Sequence, residues 1–147
     1  MGVDASVQGE VKIYFATSSV PMLDSITPKS ILVVDDEPLV ADTLRILLAM
    51  DKHRVEVASD GGAALARYGG SKYDLIITDL VMPGMDGLEL ASLIKARVPE
   101  QRILLATGHL EAVSNNEKMR QNIDGLLGKP FSQEELREAL WAMFPQG

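Results

Sequence analysis

The sequence predicts a doubly wound α/β fold, in which one parallel sheet is covered on both faces by helices. From residue 30 onward, short apolar runs alternate five times with amphipathic stretches, the pattern of strand–helix units. The runs are largely apolar from end to end, as strands buried on both faces require. Charged or hydroxyl residues follow several of the runs directly, at the carboxyl ends where such sheets bind ligands.

Taken in order, "SILVVDD" (30–36) is a β-branched run that reads as a buried strand. "EPLVADTLRILLAM" (37–50) is a helix, with Val40, Leu44, Leu47 and Leu48 at helical spacing and Pro38 suited to its first turn. "HRVEVAS" (53–59) alternates, with Val55 and Val57 on one face, and "GGAALARY" (61–68) is a short helix of small residues. In "DLIITDLVMPGMDG" (74–87), Leu75, Ile76 and Ile77 form a core strand that runs into Asp79, and Pro83, Gly84 and Gly87 mark a turn. "GLELASLIKARV" (87–98) is a helix stopped by Pro99, "RILLATG" (102–108) the fourth strand, and "LEAVSNNEKMRQN" (110–122) a polar, weakly patterned helix. "GLLGK" (125–129) is the fifth strand, and "SQEELREALWAMF" (132–144) a last helix opened by a capping box of Ser132 and Glu135. Ahead of this unit, "GEVKIYFATS" (9–18) alternates Val11, Ile13 and Phe15 as a strand does, and "SVPMLDSITPKS" (19–30) reads as a linker. The domain reading is an extension and linker over 1–29 and one folded domain over 30–147.

Bulk properties narrow the function. With 147 residues the chain suits one ordinary domain, and 46% hydrophobic with 24% charged residues is a globular balance. Lys and Arg number 14 against 21 Asp and Glu, a formal charge of -7 that repels nucleic acid and anionic membranes. Absence of cysteine excludes disulfides and thiolate metal sites. No apolar stretch approaches the roughly 18 residues of a membrane span, and "MGVDASVQGE" has neither a basic nor an apolar signal-peptide region. The Met-Gly start with Ser6 matches a myristoylation pattern too short to carry weight. A cytoplasmic protein is expected.

At the strand ends stand Asp35 and Asp36, Asp79, Thr107 and Lys129. An Asp at such a place ordinarily caps a helix or starts a turn, and a lone Lys is ordinarily a surface charge. Together the dull readings need four coincidences on the one edge where function is expected. Three converging carboxylates repel unless a cation joins them, and an all-oxygen set suits Mg²⁺ that keeps several waters. Such a set fits phosphoryl transfer to a carboxylate, with the metal, Lys and hydroxyl holding the phosphoryl oxygens.

"LVVDDEP", "DLIITDLVMPGMDG", "ILLATG" and "LLGKPF", in this order and spacing, resemble the receiver domain of two-component response regulators over about residues 30–144. The resemblance implies a flavodoxin-like sheet of five strands in order 2-1-3-4-5. It implies Asp79 as phospho-acceptor, Asp36 as a direct Mg²⁺ ligand, Asp35 acting through a metal-bound water, and the backbone carbonyl of Val81 as a further ligand. Thr107 and Lys129 would contact the phosphoryl group, and the Lys129–Pro130 bond would be cis. Three residues before the lysine the family usually carries Tyr or Phe. Leu126 stands there, so the family's aromatic switch is not expected in its usual form. Val81 and His109 would flank the path of the hydrolytic water. Expected partners are a histidine kinase or histidine phosphotransfer protein and a downstream protein target, with a phosphorylation-linked homodimer also admitted; nucleic acid and membrane are not expected. Catalysis is expected to be confined to the domain's own phosphorylation and dephosphorylation.

Residues 9–18 are similar to the last strand of histidine-kinase ATP-binding domains, which in hybrid sensor kinases lies just ahead of a receiver; the other reading is an extension packing on its own receiver or on a neighbour. Among enzymes, a dehalogenase-like aspartyl-phosphate phosphatase puts its nucleophile and its acid two residues apart at the end of the first strand; here the two aspartates, Asp35 and Asp36, are adjacent and residue 37 is Glu, so the match fails. A flavodoxin-like FMN binder would need a Gly- and hydroxyl-rich loop where "DDEP" stands. The complete acid set also argues against an interaction domain that works without phosphorylation.

Overall fold

The computed structural model describes residues 12–13, 26–70 and 72–145. Its elements are β1 (Lys12–Ile13), β2 (Ser30–Val34), α1 (Pro38–Met50), β3 (Arg54–Ala58), α2 (Gly61–Gly70), β4 (Leu75–Thr78), α3 (Gly87–Arg97), β5 (Arg102–Thr107), α4 (Leu110–Ser114), β6 (Gly125–Gly128) and α5 (Gln133–Met143). The sheet is six-stranded, in order β1-β6-β5-β4-β2-β3, and every pairing is parallel. Without β1, the five strands foreseen from the sequence lie in the order 2-1-3-4-5.

Alternation along each strand feeds two cores, which is why the strands read as unbroken apolar runs. Leu32, Val34, Ile76, Ile103, Leu105 and Leu126 face Leu90 and Ile94 of α3, Ala64 of α2 and Val113 of α4. Their neighbours Ile31, Val33, Leu75, Ile77, Leu104 and Leu127 face Leu44 and Leu48 of α1 and Leu136 and Leu140 of α5. Full burial of such a side chain contributes roughly 1.5–3 kcal/mol, so a one-residue slip of register would exchange the two cores and lose most of that packing.

The helix ends follow from local chemistry. Pro38 occupies the first turn of α1, while Asp35 Oδ1 accepts from the Glu37 amide at 2.9 Å. Asp86 caps α3 by accepting from the Glu89 amide at 2.8 Å. The α3 helix stops at Arg97 because Val98 precedes Pro99 and has left the helical region, at φ -135° and ψ 88°. Ser132 and Glu135 form the expected reciprocal capping box on α5.

Two expectations change. The helix read over 110–122 ends at Ser114, and turns follow. Asn115 terminates it, and Asn116 Oδ1 accepts from the Met119 amide at 3.0 Å, drawing the backbone into a local turn instead of a further helical ladder. The linker read over 19–30 gains an anchor at its end, where Ile26 is buried in the core shared by α1 and α5. Of the strand read over 9–18, Lys12–Ile13 pairs in parallel with Gly125 and Leu126 of β6; its other residues lie outside those described. No helix among the described residues is long and apolar enough to cross a membrane.

Where the chain enters β2, the Lys29 amide donates to Nδ1 of buried His53 at 3.0 Å. Burial holds the imidazole below its usual value near 6.5, with the Lys29 charge acting the same way and Asp51 in opposition. The folded state therefore keeps His53 neutral, whereas the unfolded chain takes up a proton below about pH 6.5. Stability from this group is present above that pH and is lost as the pH falls below it. The unfolding free energy of wild type should fall between pH 7 and 5.5, by at most about 1.4 kcal/mol per pH unit for one proton, with a matching drop in thermal midpoint, and His53→Gln should flatten that slope. An equal slope in the two proteins would remove His53 from the account.

Candidate functional site

Four strands deliver side chains to one edge. β2 passes from Val34 into Asp35 and Asp36, β4 from Thr78 into Asp79, β5 ends on Thr107, and β6 passes from Gly128 into Lys129. Main-chain bonds continue beyond the ladders and fix these positions. The Asp35 amide donates to the Ala58 carbonyl at 3.1 Å, the Asp79 amide to the Val34 carbonyl at 2.9 Å, and the Lys129 amide to the Thr107 carbonyl at 2.9 Å.

Asp35 is buried, Asp79 half-buried and Asp36 exposed, and each offers a carboxylate oxygen within 4.8 Å of the others. The Lys129 ammonium lies between two of them, 2.9 Å from Asp35 Oδ2 and 3.2 Å from Asp79 Oδ1. Asp79 Oδ1 also accepts from the Leu80 amide at 2.8 Å. Burial, reinforced by the charge of Asp35, raises the Asp79 carboxyl above its usual value, although Lys129 and the Leu80 amide pull the other way. Burial also pulls the Lys129 ammonium down, but the hydrogen bonds and charges of Asp35 and Asp79 outweigh it and hold the group above its usual value.

Thr107 is fully buried, and its Oγ1 accepts from the His109 amide at 2.9 Å. That bond leaves the hydroxyl proton available for donation. The Lys129–Pro130 peptide is cis. Val81 is 60% exposed at the mouth of the site, and His109, at the start of α4, is exposed too. Leu126 stands apart from the cluster, fully buried within β6. The acids and the ammonium thus meet directly, Thr107 joins them through the Lys129 main chain, and Leu126 belongs to the core.

Three carboxylates supplying only oxygen fit a hard divalent cation such as Mg²⁺. Asp35, Asp36 and Asp79 are the residues that would hold it.

Two residues with a direct bearing on Asp79 escaped the sequence reading. Thr78, fully buried at the end of β4, donates its hydroxyl to the Asp79 carbonyl at 2.9 Å. The available signal was a polar residue closing an apolar strand just before the key acid. Gly87 was read only as a turn marker. A β-carbon there would strike the Asp79 carbonyl, so only glycine lets α3 begin this close to the acid. Gly84, at φ 77°, supplies the left-handed position in the loop between them.

A family model, the response regulator receiver domain, matches residues 31–141. Sensor histidine kinase AruS of Pseudomonas aeruginosa is 32% identical over 89% of this chain and 14% of its own length. Transcriptional regulatory protein ResD of Bacillus subtilis is 33% identical over 78% of this chain and 47% of its own. The chain thus spans less than half the length of either relative. Among solved structures, the response regulator TrrA of Thermotoga maritima, in complex with Mg²⁺ and BeF, superposes with a TM-score of 0.73 at 33% identity, covering 79% of this chain and 99% of TrrA. The chemotaxis response regulator CheY4 of Vibrio cholerae gives 0.72 at 29% identity, covering 80% and 100%. With the family model spanning most of the chain and the fold matching such neighbours, the chain belongs to the response regulator receiver domain family.

Proposed function

We propose that this chain is the phospho-acceptor module of a two-component or phosphorelay system, phosphorylated on Asp79 in a Mg²⁺-dependent reaction. The observation that carries this reading is the half-buried Asp79 carboxylate, within 4.8 Å of oxygens of Asp35 and Asp36 and 3.2 Å from the Lys129 ammonium. The donor is a histidine kinase or histidine phosphotransfer protein. An Asp79 oxygen attacks the phosphorus of a phosphohistidine, a P–O bond forms, the P–N bond breaks, and the departing imidazole takes a proton from solvent. Mg²⁺, when bound, neutralises charge on the phosphoryl oxygens. Lys129, already drawn to Asp79, is placed to pair with the phosphoryl group, and the Thr107 hydroxyl donates to it. In hydrolysis, water attacks phosphorus, the bond to Asp79 breaks, and phosphate leaves with the carboxylate restored.

Catalysis in this reading is limited to the domain's own phosphorylation and dephosphorylation, in the cytoplasm. Output runs through protein contacts rather than DNA, in keeping with the net charge of -7. Leu126 has no ring to swing toward Thr107, so the output does not use an aromatic rotamer at that position. A second reading, the receiver of a hybrid sensor kinase, is favoured by one observation. The match to AruS takes in 89% of the chain, more than residues 30–147 make up, so it reaches into the N-terminal extension.

Incubation with Mg²⁺ and acetyl phosphate should give a phospho-adduct by intact mass on wild type and none on Asp79→Asn. The absence of an adduct on wild type, or an unchanged adduct on the variant, would overturn the proposal.

Mg²⁺ should bind weakly, because Asp36 is exposed and Mg²⁺ held by carboxylates keeps several of its waters, and Asp36→Ala should abolish the binding measured by calorimetry. Equal affinities would contradict the assignment of Asp36.

Hydrolysis requires a water in line with the Asp79–phosphorus bond. Exposed Val81, branched and without a hydrogen-bonding group, shields that approach and cannot orient the water. Val81→Asn should therefore speed decay of the adduct on the order of tenfold, or about 1.4 kcal/mol of barrier. Decay followed in Mg²⁺ after donor removal checks this, and an unchanged or slower rate would show that water positioning at residue 81 is not limiting.

A further inference from the structure

Strand β4 is apolar until its last residue, Thr78, which is fully buried. Its hydroxyl donates to the Asp79 carbonyl at 2.9 Å. That carbonyl belongs to the Asp79–Leu80 peptide, whose N–H donates to Asp79 Oδ1 at 2.8 Å. One peptide group is thus held at both ends, by the residue before the acid and by the acid itself. Gly87 closes the remaining side. Its Cα packs where any β-carbon would meet the Asp79 carbonyl, and its amide donates to the Leu80 carbonyl at 2.8 Å.

The orientation of this peptide sets the orientation of the carboxylate. If the peptide tilts, the Leu80 N–H leaves Oδ1, and the carboxylate gains freedom to turn away from Lys129. A turned carboxylate forfeits part of the near-attack geometry on which the reaction depends. We propose that Thr78 is a positioning residue for phosphorylation of Asp79, its hydroxyl locking the Asp79–Leu80 peptide so that the carboxylate stays aimed at Lys129 and the acidic cluster. The inference rests on the phospho-acceptor reading. Its competitor is a hydroxyl that merely satisfies itself inside the sheet. In that case valine, of nearly the same shape, would leave the Leu80 amide undisturbed.

The experiment compares wild type, Thr78→Val and Thr78→Ser in three measurements. These are amide hydrogen exchange of the metal-free protein, the thermal midpoint, and the initial rate of adduct formation against acetyl phosphate concentration in Mg²⁺. Loss of the lock should raise exchange at Leu80 on the order of tenfold, the size of one hydrogen bond, while amides of Leu32 and Leu104 in the neighbouring strands keep theirs. The maximal rate of adduct formation should fall with little change in the half-saturating donor concentration, and serine should restore both. Thr78→Ala takes the place of valine should the valine variant not fold. Unchanged exchange at Leu80, a rise shared equally by Leu32 and Leu104, or an unaltered rate despite faster Leu80 exchange would each overturn the proposal. A wild type that forms no adduct would fell the phospho-acceptor reading instead, and exchange at Leu80 would still decide whether Thr78 holds the peptide.

Discussion

The ammonium of Lys129 is the interaction on which the rest of the site depends. It bonds Asp35 from the end of β2 and Asp79 from the end of β4, while its own chain leaves β6, which lies between β1 and β5. Two partly desolvated carboxylates at this separation repel each other and favour protonation of one of them. The lysine offsets that repulsion and, in doing so, ties β6 to β4 and β2 across the intervening β5. The lysine and Asp35 are 18% and 2% exposed at their side chains, so the pair is largely withdrawn from water. Removing one partner of a buried pair costs about 3–5 kcal/mol, which makes the position of Lys129 a property of the acids as much as of its strand. A divalent ion held by the same carboxylates would share them with this ammonium.

Most of the fold was legible because strands buried on both faces cannot hide. Their runs are apolar throughout, and the residues that break each run are the ones at the sheet's edge. The acids and the lysine could be read as a group for the same reason. What could not be read was the pairing among them, since spacing along the chain says nothing of which oxygen meets which nitrogen. The short α4 was missed because a helical period ignores an asparagine whose side chain accepts from a nearby backbone amide, as Asn116 does from Met119. Ile26 was missed because one apolar residue among polar ones carries no period. Gly128, which has no evident purpose in the sequence, is explained by packing: a β-carbon there would lie 3.0 Å from Leu110 Cδ2, so the glycine admits the start of α4.

Leu126 gives the far side of the site a distinctive character. It is fully buried, and its backbone partners are Leu105 on one side and Ile13 on the other. The connection from Thr107 to β6 is main chain, through the Lys129 amide at 2.9 Å, rather than an aromatic side chain.

At the opposite edge of the sheet, Phe144 lies under two cations. The Lys29 ammonium is 4.6 Å from its ring and the Arg102 guanidinium 5.0 Å. Each such contact is worth about 0.5–1 kcal/mol when exposed and more when desolvated, and Phe144 itself is buried. Lys29 precedes the first core strand and Phe144 follows the last helix, so the two ends of the packed unit are clasped together, remote from the acids. Spliced into a longer polypeptide, such a unit would behave like a pendant on a closed ring. A segment joined beyond Phe144 would leave from this pole, remote from the acids.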